Sequence, residues 1–201
     1  MDIKKLHDLF LKCDSICTDT RSNCKGSLFF ALKGGNFNGN DFALESLSKG
    51  ANCAIVDDKT IDHPKCLLVD DVLKTLQKLS NFHRKKLKKT KIIALTGSNG
   101  KTTTKELINC VLNTTYKTSS TIGNLNNHIG VPLSLLNIQD DTEFAVIEMG
   151  ANHQGEISLL TKLVEPDFGL ITNFGKAHLE GFGGVDAVSY THLTLPTIRT
   201  V

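Results

Sequence analysis

Apolar and polar positions alternate along this chain in two rhythms, one helical and one of short unbroken runs. Ile3, Leu6, Leu9 and Phe10 fall at helical spacing near the N-terminus. SLFFAL (27–32), apolar after its serine, predicts a strand, while KGGNFNGN (33–40), rich in Gly and Asn, predicts a loop. DFALESLSKG predicts a helix opened by Asp41 and closed by Gly50. NCAIV and KCLLV read as two further strands. Val72, Leu76, Leu79 and Phe82 then mark one face of a long amphipathic helix over 70–87. Such alternation predicts a small α/β domain spanning 1–87.

A second α/β block begins at KIIALT, a strand that runs into a glycine-containing loop and a helix from Lys101 to about Leu112. A strand is expected near 116–119, a helix over VPLSLLNI, a buried strand at EFAVIEMG, a helix at GEISLLTKLV and a strand at FGLITNFG. Strand, glycine loop, helix and more buried strands imply a parallel sheet with ligands at the strand C-termini.

Composition narrows the function classes. The 201 residues suffice for one large domain or two small ones. A net charge of +2 argues against a nucleic-acid binder, and no apolar run approaches the ~20 residues that span a bilayer. The expectation is therefore a cytoplasmic protein with neither nucleic-acid nor membrane partners. RKKLKKTK (84–91) is basic, but no aromatic residues interleave with its charges, so a solvated helix end is the better reading. The six cysteines form no C-x-x-C pair and read as reduced thiols, not a zinc site.

The sharpest chemical signal is TGSNGKTTTKE, 96–106. It resembles a phosphate-binding loop of the form G-x-x-x-x-G-K-[ST], except that Leu95 stands where the first glycine belongs. Backbone N–H groups of such a turn point at phosphate oxygens, and the following helix N-terminus adds positive potential. Gly97, Ser98, Asn99, Gly100, Lys101, Thr102 and Thr103 are the candidate nucleotide contacts. Lys101 can reach the terminal phosphates and Thr102 can place its hydroxyl on magnesium. Glu148, ending a very apolar strand, is a candidate magnesium ligand, because an uncompensated carboxylate there would be costly. By residue type alone His178 is either a second metal ligand or a satisfied loop histidine. GNLNNHIG (123–130) is either a loop of turn residues or a polar pocket wall.

Taken together these motifs resemble the Mur ligases of bacterial cell-wall synthesis, and among them the branch that adds D-alanyl-D-alanine to UDP-N-acetylmuramoyl-tripeptide. GSNGKTT (97–103) has the family's shortened loop, and GNLNNHIGVPLSLL, VIEMGANHQGEI and ITNFGKAHLEGFG follow in order. TDTRSNCKGSLFFALKGGNFNGNDF resembles the family's UDP-sugar-holding domain. The resemblance implies an α/β fold with a small UDP-binding domain followed by a P-loop parallel-sheet ATPase domain over 88–187, of which only the first part is expected here. It implies ATP and Mg2+, with Lys101 on the phosphates, Thr102 and Glu148 on one magnesium and His178 on a second. ATP would phosphorylate the tripeptide carboxylate, and the amine of D-alanyl-D-alanine would attack the acyl phosphate to form an amide. Thr20, Arg21, Asn38 and Gly39 are candidates for the UDP end; Asn126, Asn127, Asn152 and His153 are candidates for the substrate side. A monomer is expected. Another member of the superfamily, such as a folylpolyglutamate synthase, is the alternative, against which EMGANHQGE and DTR count.

The resemblance stops after GFGGVDAV. VSYTHLTLPT resembles the translation of a sequencing adapter, so residues 188–201 are expected to be non-native. On that expectation the chain would be a fragment lacking catalytic turnover.

Overall fold

The structure, a computed structural model, describes residues 1–173. It divides into two compact units, Met1–Phe82 and the residues from His83 onward. Both are α/β, and each is built on a four-stranded parallel sheet.

The first unit opens with α1 (Ile3–Phe10), whose first turn is capped by Asp2 accepting the Lys4 N–H at 3.0 Å. There follow β1 (Ser15–Cys17), β2 (Ser27–Phe30), and the hairpin strands β3 (Lys33–Gly34) and β4 (Phe37–Asn38). A 3-10 turn (Gly39–Phe42) leads into α2 (Ala43–Ser48), then β5 (Cys53–Val56), β6 (Cys66–Leu68) and α3 (Val72–Lys86). The sheet order is β1-β2-β5-β6. Every residue of β2 and β5 is buried, as expected of central strands covered on both faces. Phe29, Ala31, Ala43, Ala54 and Val56 form one side of this core.

Three features of this unit depart from the sequence expectation. β1 was not anticipated, because three residues graded from exposed to buried carry no readable period. The 33–40 loop contains a two-by-two hairpin. Asp41 does not open α2: the helix starts from Phe42 without a side-chain cap, after the 3-10 turn has already reversed the chain.

The second unit runs through β7 (Lys91–Thr96), α4 (Lys101–Leu112), β8 (Thr118–Ser120), α5 (Gly130–Leu136), β9 (Phe144–Glu148), α6 (Glu156–Val164) and β10 (Phe168–Ile171). Its sheet order is β10-β7-β9-β8, so the two most deeply buried strands lie at the centre. Ile92, Ala94, Ala145 and Ile147 pack with Val131 and Leu135 of α5 and Leu160 and Val164 of α6. At ~25 cal/mol per Å² such burial supplies the main driving force for this layer.

The sequence places the domain boundary at 87, whereas the units part inside α3. The last turn of α3 belongs to the second unit, within which it makes polar contacts that periodicity does not reveal. His83 Nε2 lies 3.0 Å from the Ile138 carbonyl, and burial pushes its imidazole below the ordinary histidine pKa. Arg84 donates to the carbonyls of Val164 (3.0 Å) and Glu165 (2.8 Å), and to Asp167 Oδ2 at 2.9 Å. The Arg84 side chain is only 14% exposed, so the expected solvated helix end describes the neighbouring lysines but not this arginine.

Asp167 also accepts the Ile92 N–H at 2.9 Å and pairs with Lys91 at 3.2 Å, tying the start of β10 to β7. Burial works to raise its pKa, but the Ile92 N–H and the cations of Lys91 and Arg84 outweigh it and hold the carboxyl below the usual range. Its stabilising contribution is therefore full above the unfolded carboxyl pKa of about 3.9 and is lost as pH falls toward the depressed folded value. Asp167→Ala is expected to destabilise the protein by about 2 kcal/mol at neutral pH, with the difference shrinking below about pH 4. Urea unfolding at pH 7 and pH 3 checks both parts; an unchanged midpoint at pH 7 contradicts the assignment.

Candidate functional site

The loop after β7 is shorter than the ordinary phosphate-binding pattern for a concrete reason. Leu95, in place of the first glycine, lies fully buried inside β7, in register with Leu170 of β10 and Glu148 of β9. The strand continues to Thr96, and only Gly97–Gly100 turn the chain into α4. Gly97 has φ +137, and Gly100, the N-cap of α4, has φ +76. Both values belong to the region that favours glycine.

The end of β10 holds this loop from beside it. Thr172 Oγ1 donates to the Asn99 carbonyl at 2.6 Å, Asn173 Oδ1 accepts the Asn99 N–H at 3.0 Å, and the Asn173 carbonyl accepts the Ser98 N–H at 3.2 Å. The sequence reading missed Thr172 and Asn173; a polar pair directly after an apolar strand was the available signal.

Lys101 curls back over the loop, with Nζ 2.7 Å from the Gly97 carbonyl. Burial pushes its ammonium below the ordinary lysine pKa, opposed by the Glu148 carboxylate. Glu148 is 1% exposed. Its Oε2 accepts from Thr102 Oγ1 at 3.0 Å and its Oε1 from Asn126 Nδ2 at 2.8 Å, while its own N–H donates to Thr121 Oγ1 at 3.0 Å. The helix N-terminus, Lys101, Thr102 and Glu148 therefore converge at the C-terminal edge of the sheet. Ser98 is buried beneath the loop, and Thr103 is exposed on the first turn of α4.

The remaining substrate-side candidates separate. Asn126 belongs to the cluster, and its carbonyl also accepts the Gly150 N–H at 2.7 Å. Asn127 turns inward and accepts the N–H groups of Ile129 (3.0 Å) and Gly130 (2.8 Å), fixing the start of α5. Asn152 and His153 are exposed, with their backbone N–H groups on Glu156 Oε2 at 2.7 and 3.1 Å. His178 and the expected tail at 188–201 lie outside the described residues.

The potential ligand atoms of Thr102 and Glu148 are all oxygens, which suits a hard divalent cation. Among the described residues no cluster of three His, Cys, Asp or Glu side chains forms a self-sufficient metal cage. Magnesium requires none, because it characteristically takes one or two protein oxygens and completes its shell with phosphate and water. The residues present thus fit a nucleotide-bound magnesium ion.

In the first unit a cavity of about 350 Å³ is lined by Thr18, Asp19, Thr20, Arg21, Phe29, Phe37, Gly39 and Phe42. Thr20, Arg21 and Gly39 of the expected UDP contacts are there. Asn38 instead turns its amide oxygen toward Asn40, accepting from Nδ2 at 2.8 Å. Gly39 fits because a Cβ would stand 2.3 Å from the Leu32 carbonyl oxygen. Arg21 presents its guanidinium edge to Asp19, at 3.0 Å from Nε and 2.6 Å from Nη2, and draws the Asp19 pKa down to about 2. The aromatic lining was not foreseen, although Phe37 and Phe42 bracket the recognised N-G-N-D.

Gly97 and Gly100 should respond differently to substitution. Alanine at either meets backbone strain of about 1–3 kcal/mol. At 97 its Cβ would also stand 2.1 Å from Thr172 Oγ1 and 3.0 Å from the Thr172 backbone nitrogen, whereas at 100 it meets nothing within 4 Å. Gly97→Ala should therefore lower the melting temperature more than Gly100→Ala; equal shifts would contradict this packing.

Known proteins resemble this chain in sequence and fold. The chain is 41% identical over 184 residues to the UDP-N-acetylmuramoyl-tripeptide--D-alanyl-D-alanine ligase of Bacillus subtilis, covering 90% of this chain and 40% of that relative. Among solved structures, MurF from Acinetobacter baumannii superposes with a TM-score of 0.87 at 37% identity, over 96% of this chain and 45% of that one. MurF ligase from Thermotoga maritima in complex with ADP gives 0.84 at 34% identity, over 92% and 43%. The chain thus spans less than half the length of these relatives. No helix of the described residues is long and apolar enough to cross a membrane. The Mur ligase middle-domain profile matches residues 95–196, from the end of β7 through the loop, Glu148 and beyond, and by that match the chain belongs to the Mur ligase family.

Proposed function

We propose that this chain carries the nucleotide sites of an ATP-dependent ligase that adds D-alanyl-D-alanine to UDP-N-acetylmuramoyl-tripeptide in peptidoglycan precursor synthesis. The observation that carries the reading is the 3.0 Å contact between Thr102 and Glu148 beside Lys101 at the head of α4. A loop that exposes backbone N–H groups at a helix N-terminus binds phosphate, and a neighbouring oxygen pair can share the nucleotide's magnesium. The ion, when bound, would neutralise charge between the phosphates and a carboxylate acceptor.

Each residue then has a defined task. Gly97, Ser98, Asn99, Gly100 and Thr103 form the phosphate cradle, in which the Ser98 and Asn99 N–H groups exchange Asn173 for phosphate oxygens. Lys101 exchanges the Gly97 carbonyl for the terminal phosphates, and its charge meets the negative charge that develops during phosphoryl transfer. Thr102 and Glu148 give up their mutual hydrogen bond to face the cation, with Asn126 holding the second carboxylate oxygen. Asn152 and His153, on the exposed turn before α6, are assigned to the incoming substrate, and Asn127 to the support of that side through α5. His178 is proposed for a second magnesium. In the first unit Arg21, already paired with Asp19, offers its remaining N–H groups to a diphosphate, while Phe37 and Phe42 offer faces to a uracil ring. Thr20 and Gly39 complete that wall.

Two mutually independent binding events are expected. Titration calorimetry should show ADP binding that requires magnesium, and UDP-muramoyl-tripeptide binding that does not require ADP. Lys101→Ala should weaken ADP about ten- to hundredfold, the loss of one charge-assisted contact, and leave the UDP-sugar unaffected. Arg21→Ala should do the reverse. If ADP binding survives Lys101→Ala unchanged, or neither ligand binds a folded chain, the reading fails. Phosphate release from ATP that depends on both UDP-muramoyl-tripeptide and D-alanyl-D-alanine would show that the residues present also suffice for turnover.

A further inference from the structure

The helix that begins at the phosphate loop buries a cation. Among the described residues of α4 only Lys105 is buried, and its side chain is 0% exposed. Leu107 and Val111, which periodicity would send inward, are 63% and 68% exposed. A buried ammonium is expensive unless fully engaged, and an apolar side chain of similar length would fill the same volume at less cost. The retained charge therefore calls for a reason other than packing.

Its contacts supply one. Lys105 Nζ donates to the Thr121 carbonyl at 2.6 Å and pairs with Glu106 at 2.9 Å. Thr121 is itself buried, and its N–H donates to the Val146 carbonyl at 3.0 Å, extending the β8–β9 ladder by one residue. The hydroxyl of the same threonine accepts the Glu148 N–H at 3.0 Å. Lys105 also lies one helical turn beyond Lys101 and Thr102, on their face of α4. A continuous chain of contacts thus runs from the Thr102 turn through Lys105 and Thr121 to the backbone of Glu148, whose carboxylate returns to Thr102.

We propose that Lys105 is a positioning residue for the cation site: by clamping Thr121 it fixes Glu148 at the distance from Thr102 that a nucleotide-bound divalent ion requires. The inference rests on the nucleotide-and-magnesium reading above. Loss of the clamp frees the end of β8, lets Glu148 shift along the strand direction, and disturbs the oxygen pair without touching the loop that binds phosphate.

The test uses the whole chain with manganese as the probe ion, following ADP affinity by calorimetry with and without manganese and the ion's own electron paramagnetic resonance. Lys105→Met should reduce the manganese-dependent gain in ADP affinity at least tenfold while metal-free ADP binding changes less than twofold. Thr121→Val, which removes only the hydroxyl link to Glu148, should show the same selective loss, and Thr121→Ser should restore it. The last pair keeps the test decisive if Lys105→Met does not fold. The inference is overturned if Thr121→Val retains the manganese-dependent gain, or if every variant loses metal-free and metal-dependent binding equally. An unsubstituted chain that binds ADP with no manganese dependence overturns the underlying cation reading as well, so the two failures are distinguishable.

Discussion

Glu148 ends β9 with almost none of its surface in water, so both carboxylate oxygens must be met by donors from within the fold. Thr102 meets one and Asn126 the other, and each is drawn from a different segment. That requirement fixes where α4 starts relative to β9, and how the 121–130 segment crosses the sheet edge. Gly150 illustrates how tight the arrangement is: a Cβ there would stand 2.9 Å from the Asn126 amide carbon. A carboxylate held by two exchangeable hydrogen bonds is also one that a cation can recruit, which makes the fold's costliest group a natural candidate for its chemistry.

Parallel pairing places that group correctly. Because β7 and β9 run the same way in register, Leu95 lies opposite Glu148, and the chain leaves β7 for the glycine loop just beyond that point. β10 adds a second support, since the two residues that follow it, Thr172 and Asn173, reach the Asn99 carbonyl and N–H. The loop is thus gripped by β10 on one side and continued by α4 on the other. Its two constrained glycines are accounted for by geometry at Gly97 and by the helix start at Gly100.

Much of this was legible in the sequence because the signals were long or chemically unusual. The unbroken apolar runs at 28–32 and 144–147 marked buried strands, and GSNGKTT after an apolar strand marked the strand-to-helix loop. What stayed hidden depended on single long-range contacts. Arg84 reads as one of several basic residues at a helix end, yet it is singled out by carbonyls some eighty positions away. Asn38 has the composition of a ligand contact but spends its amide oxygen on the adjacent turn. Lys105, seen only as part of a loop-and-helix motif, gives no sign in the sequence that it points inward. Residue type pointed to the candidate site, whereas the choice among similar residues was made by partners remote in the chain.

The central claim is that Lys101, Thr102 and Glu148 form one phosphate-and-cation site. It is tested most directly by a crystal structure of the chain grown with ADP and manganese, using anomalous scattering to locate the ion. The account predicts a single strong anomalous peak within coordination distance of Thr102 Oγ1 and a Glu148 carboxylate oxygen, with Lys101 moved from the Gly97 carbonyl onto phosphate. An ion bound to ADP away from both side chains, with Thr102 still hydrogen-bonded to Glu148 and Lys101 still folded on the loop, would contradict it.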